Sequence, residues 1–187
     1  MSEEVLINVT PQETRVAVVE NGVLQEVHIE RARARGIVGN IYQGRVTRIL
    51  PGMQAAFVDV GLERAAFLHA SDVRVGLRDG TEPAASPGIS ELLHDGQDVV
   101  VQVVKDPLGT KGARVTTHIT LAARYLVYMP YSHHIGVSQK IGDDAERERL
   151  RAMLKSALEG DDSGGFILRT VAGNVTDEEL ATDVRYL

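Results

Sequence analysis

The stretch that decides the fold is Asn40–Gly61, NIYQGRVTRILPGMQAAFVDVG. Its two halves, IYQGRVTRIL and MQAAFVDVG, are rich in β-branched and other apolar residues, and Pro51-Gly52 between them is a turn signal. The pattern therefore predicts two antiparallel strands. An isolated pair of strands is only marginally stable in water, so further strands are needed to bury its apolar face.

Three further stretches of this kind follow: AAFLHA (65–70), QDVVVQVVKD (97–106) and ARVTTHITL (113–121). With the first strand beginning at Val38, they make five short strands over residues 38–121. A long excursion, 75–88, and one helical turn, 89–94, lie between the third and fourth strands. Strand number, length and the long third connection predict an OB-fold, a partly open five-stranded barrel used for single-stranded nucleic acid.

Residues 1–37 precede the barrel and predict a separate sheet. Strands are expected at 5–9, 14–20 and 23–30, and Asn21-Gly22 supplies the positive-φ pair of a type I′ hairpin turn. Alternating apolar side chains give this sheet one apolar face, and we expect a second layer of structure to pack against that face. The basic run RARARG, ending at Gly36, marks the boundary with the barrel.

The pattern of predicted elements changes after residue 121, and residues 122–187 predict an α+β unit. Strands are expected at 124–129, 135–138 and 165–170, with helices at 143–158 and from Thr176. Thr176 and Glu179 have the spacing of a capping box. The last helix stops on Leu187 without a terminating signal, so we expect the chain to be the front part of a longer protein. The isolated chain should be less stable than the intact protein, or it should self-associate.

Composition excludes several classes of site. The chain has 187 residues, a formal net charge of −6 and no cysteine, so thiolate metal sites, disulfides and cysteine nucleophiles are ruled out within it. Its apolar runs are shorter than the roughly 18 to 20 residues of a membrane helix, which predicts a soluble cytoplasmic protein. Because the net charge is acidic, nucleic-acid binding would need a local basic face.

Familiar catalytic and metal motifs are absent. His133-His134 have no further ligand at helical spacing, GTKG at 109–112 is too short for a phosphate-binding P-loop, and the acidic pairs fall at helix ends and loops. We therefore assign no catalytic residue and no metal ligand within these residues.

Two groups of residues remain as candidates for binding. Phe57 and Phe67 are two of only three phenylalanines, and on an OB surface beside Lys105 and Lys111 they would stack bases at about 1–3 kcal/mol each. The alternative is that both rings belong to the barrel core and never touch RNA. Arg169 and Thr170 end an apolar strand and offer donors for a phosphate, although the spacing alone favours an ordinary surface arginine.

Five strings in this order resemble the ribonuclease E/G family of bacterial endoribonucleases. They are RARGIVGNIYQGRV (33–46), LPGMQAAFVDVGLERAAFLHASD (50–72), GQDVVVQVVKDPLGTKGARVTT (96–117), YLVYMP (125–130) and GGFILRT (164–170). The resemblance implies an α+β multidomain fold. An RNase H-like hairpin (1–37) would carry an inserted S1 domain of OB-fold type (38–121), followed by an α+β 5′-sensor domain (122–187) that is truncated at its end.

The resemblance also implies roles for individual residues. Phe57, Phe67 and Lys111 would hold single-stranded RNA on the S1 domain. Arg169 and Thr170, with a backbone contact at Val127, would recognise a 5′-monophosphate. Two positions depart from the family pattern, because a glycine near the pocket is Ala123 and a pocket arginine is replaced by Gln139. Both departures could reshape phosphate recognition.

The function implied is that of a single-strand-specific endoribonuclease, a hydrolase of rRNA 5′-end maturation and mRNA decay. Its Mg²⁺-binding aspartates and the cysteines that hold Zn²⁺ between protomers of a homodimer or higher oligomer would lie outside this chain. The 187 residues alone would bind RNA with a 5′-monophosphate end but not cleave it. The competing interpretation is a non-catalytic S1-type RNA-binding module or scaffold.

Overall fold

A computed structural model describes residues 2–75, 87–158, 160 and 163–187. Most of the predicted excursion at 75–88 and the acidic pair at 161–162 lie outside these residues. The chain forms two compact units, 1–38 and 39–187. No helix of the described residues is long and apolar enough to cross a membrane.

The first unit is an antiparallel sheet with the strand order β1-β2-β3. Its strands are β1 (Glu3–Val9), β2 (Glu13–Glu20) and β3 (Val23–Arg31). Asn21 and Gly22 have φ angles of 50° and 79°, which confirms the predicted hairpin turn. Both outer strands are exposed along their whole length, and the apolar side chains expected to meet a partner layer are open, with Val27 52% and Ile29 51% exposed.

The second unit begins with a five-stranded barrel in the order β4-β5-β6-β8-β7, as predicted, but the barrel is closed and not partly open, because β4 pairs with β7 as well as with β5. The strands are β4 (Ile41–Leu50), β5 (Ala55–Asp59), β6 (Ala66–His69), β7 (Asp98–Lys105) and β8 (Arg114–Thr116). Val58, Leu68 and Val115 fill the interior with no exposed surface. Burying each such side chain is worth about 1.5–3 kcal/mol. The predicted helical turn, α1 (Ile89–Leu92), inserts the fully buried Ile89.

The strand predicted at 113–121 is divided in two. After β8 the chain leaves the barrel, and β9 (Leu121–Ala122) pairs with the next strand of a second sheet. Polar side chains cause the break: the Thr116 hydroxyl donates to the Asp72 carbonyl, and the buried Gln102 amide accepts the Thr120 N–H. These bonds replace the ladder bonds of a continuous strand.

The second sheet has the order β11-β12-β10-β9 and packs against two helices. Its other elements are β10 (Leu126–Met129), β11 (Ile135–Val137), α2 (Asp144–Leu158), β12 (Gly165–Leu168) and α3 (Asp177–Tyr186). Leu126, Leu154 and Leu180 are fully buried in the shared core. The prediction that β12 continues to residue 170 is wrong, because Arg169 is the N-cap residue of a 3-10 helix, Thr170–Asn174, in which Gly173 and Asn174 favour a turn.

The predicted capping box is confirmed and is joined to the sheet. The Thr176 N–H donates to Glu179 Oε2 at 3.1 Å, the Glu179 N–H donates to the Thr176 hydroxyl, and the buried Tyr125 hydroxyl donates to Glu179 Oε1 at 3.0 Å. The Thr176 backbone N–H first, and then the Tyr125 hydroxyl, lower the pKa of Glu179. Burial, together with that carboxylate, raises the pKa of Tyr125.

Glu179→Gln is expected to destabilise the chain at neutral pH and much less in acid. A carboxylate whose pKa is lowered by folding adds stability above its unfolded pKa of about 4.3, and this stability is lost as the pH falls through the lower folded value. Urea denaturation at neutral pH and at acidic pH measures the difference. Glu178→Gln, an exposed neighbour in the same first turn, is the control. A gap between wild type and Glu179→Gln that does not change with pH contradicts this account.

Candidate nucleic-acid interface

Phe57 and Phe67 form a pair on the outside of the barrel. They are direct partners on β5 and β6, with ring centroids 6.2 Å apart and an interplanar angle of 69°. Their neighbours Ala56, Val58 and Leu68 are fully buried, whereas both rings are half-buried. Alternation along each strand therefore turns the rings away from the core. This disfavours the core alternative, and contact with RNA remains a prediction.

Lys105 and Lys111 lie to one side of this pair. β8 runs beside β6 with Arg114 opposite Phe67, and Lys105 lies opposite Arg114 on β7. Lys111 belongs to a tight turn in which Leu108 and Lys111 exchange backbone hydrogen bonds of 3.0 and 3.1 Å. Both lysines are exposed, so the structure provides a local basic edge next to the two rings.

The turn that carries Lys111 is attached closely to the entry of β6. The Arg64 guanidinium donates to the Thr110 carbonyl, and the Phe67 N–H donates to the Ala113 carbonyl at 2.7 Å. A Cβ at Gly112 would collide with the carbonyl oxygen of Ala65. The absence of a side chain at residue 112 is therefore what lets this turn approach the strand that carries Phe67.

Two cations on this surface were not found by the sequence analysis. Arg48 lies opposite Phe57, and Arg114 lies opposite Phe67 and donates to Asp72 Oδ2 at 2.8 Å. Arg48 can be placed beside Phe57 only when the register of the two strands is known. This register cannot be derived from composition or from residue spacing.

Arg169 directly follows β12, an inner strand of the second sheet, and its guanidinium is held by backbone carbonyls. Its Nη1 donates to the carbonyls of Ala123 at 2.8 Å and of Arg124 at 3.2 Å, and the residue is exposed. These bonds use one nitrogen of a group that carries five N–H donors. Because the acceptor at 123 is a carbonyl oxygen, alanine at this position keeps the bond that glycine would make.

Thr170 is paired with a hydroxyl that the sequence analysis missed. Its Oγ1 lies 3.0 Å from Ser138 Oγ, and the Ser138 N–H donates to the Leu168 carbonyl at 2.9 Å. Ser138 directly follows β11, and Thr170 begins the 3-10 helix after β12, so parallel pairing of these two strands brings the two hydroxyls together. Gln139, the second departure from the family pattern, is exposed beside Ser138.

Val127 lies on the same sheet. It is half-buried, and it pairs with Ile167 on β12 and with Ala122 on β9. Ile167 and Arg169 are two residues apart in an extended segment, so their side chains point to the same face of the sheet. The predicted site residues thus fall into two groups, one on the barrel and one on this sheet.

Metal-ligating side chains do not gather within the part of the chain that the structure describes. No group of three or more His, Asp or Glu residues there could hold a metal ion. What the two described groups offer chemically is stacking surface, hydroxyl groups and guanidinium or ammonium donors, which suit nucleobases and phosphate oxygens.

Gly112→Ala is expected to destabilise the chain by about 1–3 kcal/mol, because the new methyl group overpacks the contact with Ala65. Urea denaturation measures this loss. Gly52→Ala is the matched control, since a Cβ there meets no described atom within 4 Å. Equal stability of the two variants would show that the close approach at Gly112 is not needed.

Comparison with known proteins gives a consistent result. Residues 120–187 match the family described as Ribonuclease E/G family. The whole chain is 58% identical to ribonuclease G of Salmonella typhimurium, and 98% of it is 57% identical to ribonuclease G of Haemophilus influenzae. Ribonuclease E of Haemophilus influenzae is 39% identical over 99% of the chain. The chain spans 39% and 38% of the two ribonuclease G sequences and 20% of the ribonuclease E sequence.

Proposed function

The chain belongs to the ribonuclease E/G family, and from this premise we propose that it is the RNA-binding and 5′-monophosphate-sensing region of an endoribonuclease similar to ribonuclease G. The observation that carries the proposal is the exposed Phe57–Phe67 pair with cations beside it on a five-stranded barrel. Such a surface suits single-stranded RNA, since every base has a face that can stack on an aromatic ring.

On the barrel, the two rings stack bases and the lysines bind the backbone. Each stacked base contributes about 1–3 kcal/mol, and Lys105 and Lys111 supply positive charge next to the rings. The chain as a whole carries a net charge of −6, so binding depends on this local arrangement and weakens with added salt.

On the second sheet, Arg169 and Thr170 bind the 5′ end. The Ala123 and Arg124 carbonyls hold the guanidinium in place, and its remaining donors form paired bonds to one phosphate group. When the Ser138 hydroxyl donates to Thr170 Oγ1, the Thr170 proton is left to donate to a phosphate oxygen. Val127 adds a backbone contact. A single phosphate fits this set of donors better than a triphosphate does.

Binding of the phosphorylated end acts as a gate on cleavage. The RNA, held at its 5′ end and along the barrel, is directed to a hydrolytic site that uses Mg²⁺. This site belongs to the part of the protein that corresponds to the 61% of ribonuclease G outside the 39% that this chain spans. Zn²⁺ at a contact between protomers belongs to that part as well. The protein then acts in the cytoplasm, in rRNA 5′-end maturation and mRNA decay.

The 5′-end preference should depend on Arg169. A charge-assisted bond pair contributes about 1.5–3 kcal/mol, so a 5′-monophosphate RNA should bind roughly ten- to a hundredfold more tightly than the same RNA with a 5′-hydroxyl. Arg169→Leu should abolish this preference. Fluorescence anisotropy at low salt measures it, with Arg185→Leu, an exposed arginine of α3, as the control for loss of charge. Equal binding of the two RNAs by the wild type would refute 5′-end sensing by this chain.

Phe57→Ala should weaken binding of a 5′-hydroxyl RNA by about five- to 150-fold, which corresponds to one lost stacking contact of about 1–3 kcal/mol. Since the ring is half-buried on the outside of the barrel, the variant should remain folded. Circular dichroism melting checks the fold, and anisotropy measures affinity. If affinity falls only in proportion to the unfolded fraction, the ring has a structural role and no role in binding.

A further inference from the structure

One row of side chains crosses the outer face of the barrel. The strand registers place Arg48 opposite Phe57, Phe57 opposite Phe67, Phe67 opposite Arg114, and Arg114 opposite Lys105. Directly opposed residues of neighbouring strands point to the same face of a sheet. The row therefore reads Arg-Phe-Phe-Arg-Lys across the strands β4, β5, β6, β8 and β7.

A β-bulge adjoins each end of this row. The register shifts between Val46 and Arg48 on β4, and between Val103 and Lys105 on β7. With regular pairing, Arg48 and Lys105 would each be shifted by one position relative to the neighbouring strand, and their side chains would point into the barrel. A bulge sets two residues opposite one and redirects the side chain. The two bulges thus keep a cation outside at both ends of the aromatic pair.

Arg114 is held by a fixed carboxylate. Its Nη2 and Nε lie 2.8 and 3.2 Å from Asp72 Oδ2, and the side chains of Arg114 and Asp72 are 44% and 22% exposed. The Asp72 carbonyl accepts the Thr117 N–H at 2.8 Å and so ties this segment to the end of β8. An anion fixed beside a cation reduces the attraction of that cation for a second anion.

We propose that Arg48 and Arg114 bind phosphates on either side of the bases stacked on Phe57 and Phe67, and that Asp72 competes with RNA for Arg114. The inference rests on the proposed function, because it requires that the barrel binds single-stranded RNA. Measured along the curved surface of the closed barrel, the row covers four strand spacings, about 19 Å, which suits an RNA of at least about four nucleotides that follows this curve. Stacking and phosphate contacts read no base identity, so this row sets affinity and not sequence preference.

The same barrel contains a matched control pair. Arg45 lies on β4, three residues before Arg48, and its Nε donates to Asp98 Oδ1 at 2.8 Å. Its register partners are Asp59 and Asp98, so it lies between two carboxylates and outside the row. Loss of the Arg45 charge changes the net charge by the same single unit as loss of Arg48 or Arg114.

The test uses the 187-residue chain and a 12-nucleotide, 5′-hydroxyl RNA of adenosine and uridine, with anisotropy measured over a range of NaCl concentrations. Arg48→Gln and Arg114→Gln should each weaken binding about two- to fivefold and make the slope of log K against log salt roughly 0.7 less steep. Arg45→Gln should leave both unchanged. Asp72→Asn should tighten binding, and this gain should largely vanish in an Arg114→Gln background.

Folding is checked by circular dichroism, and Arg48→Lys and Arg114→Lys, which keep the charge, should keep the salt slope of the wild type. If Arg48→Gln and Arg114→Gln bind like Arg45→Gln while Phe57→Ala loses affinity, the row is refuted and RNA binding by the barrel stands. If Phe57→Ala also binds like the wild type, the proposed function of the barrel is refuted together with the row.

Discussion

Closure of the barrel determines which side of each barrel strand faces solvent, and the proposed RNA surface of the barrel depends on it. Val58, Leu68 and Val115 are fully buried on three adjacent strands, and Phe57, Phe67 and Arg114 precede them by one residue each. A shift of one residue in the pairing of these strands would turn the buried side chains outward and the exposed side chains inward. The hydrophobic effect that stabilises the inside of the barrel therefore also aligns the side chains on its outside.

The elements that could be predicted from sequence are those with local signals. The Asn21-Gly22 turn, the five barrel strands, both long helices and the Thr176–Glu179 capping box follow from patterns a few residues long. The strand predicted at 113–121 failed because distant polar side chains decided the outcome: Gln102 bonds to Thr120 and ends the ladder after β8. Such a bond joins residues 18 positions apart and leaves no periodic trace.

The candidate sites show the same division. Phe57 and Phe67 were singled out because phenylalanine is rare in this chain, and Arg169 and Thr170 because they end an apolar strand in a familiar motif. Arg48, Arg114 and Ser138 were missed, since their places depend on two β-bulges and on a hydroxyl pair formed between parallel strands. Register and cross-strand pairing are properties of the folded chain, and residue type alone does not reveal them.

The central claim, that RNA bases stack on the outer face of the barrel, is tested most directly by NMR of phenylalanine-labelled protein. The chain has three phenylalanines, and the third, Phe166, is 3% exposed in the core of the second sheet, so it serves as an internal reference. On titration with single-stranded RNA, the ring signals of Phe57 and Phe67 should shift together while those of Phe166 stay in place. Ring signals of Phe57 and Phe67 that do not move at saturating RNA would contradict the account.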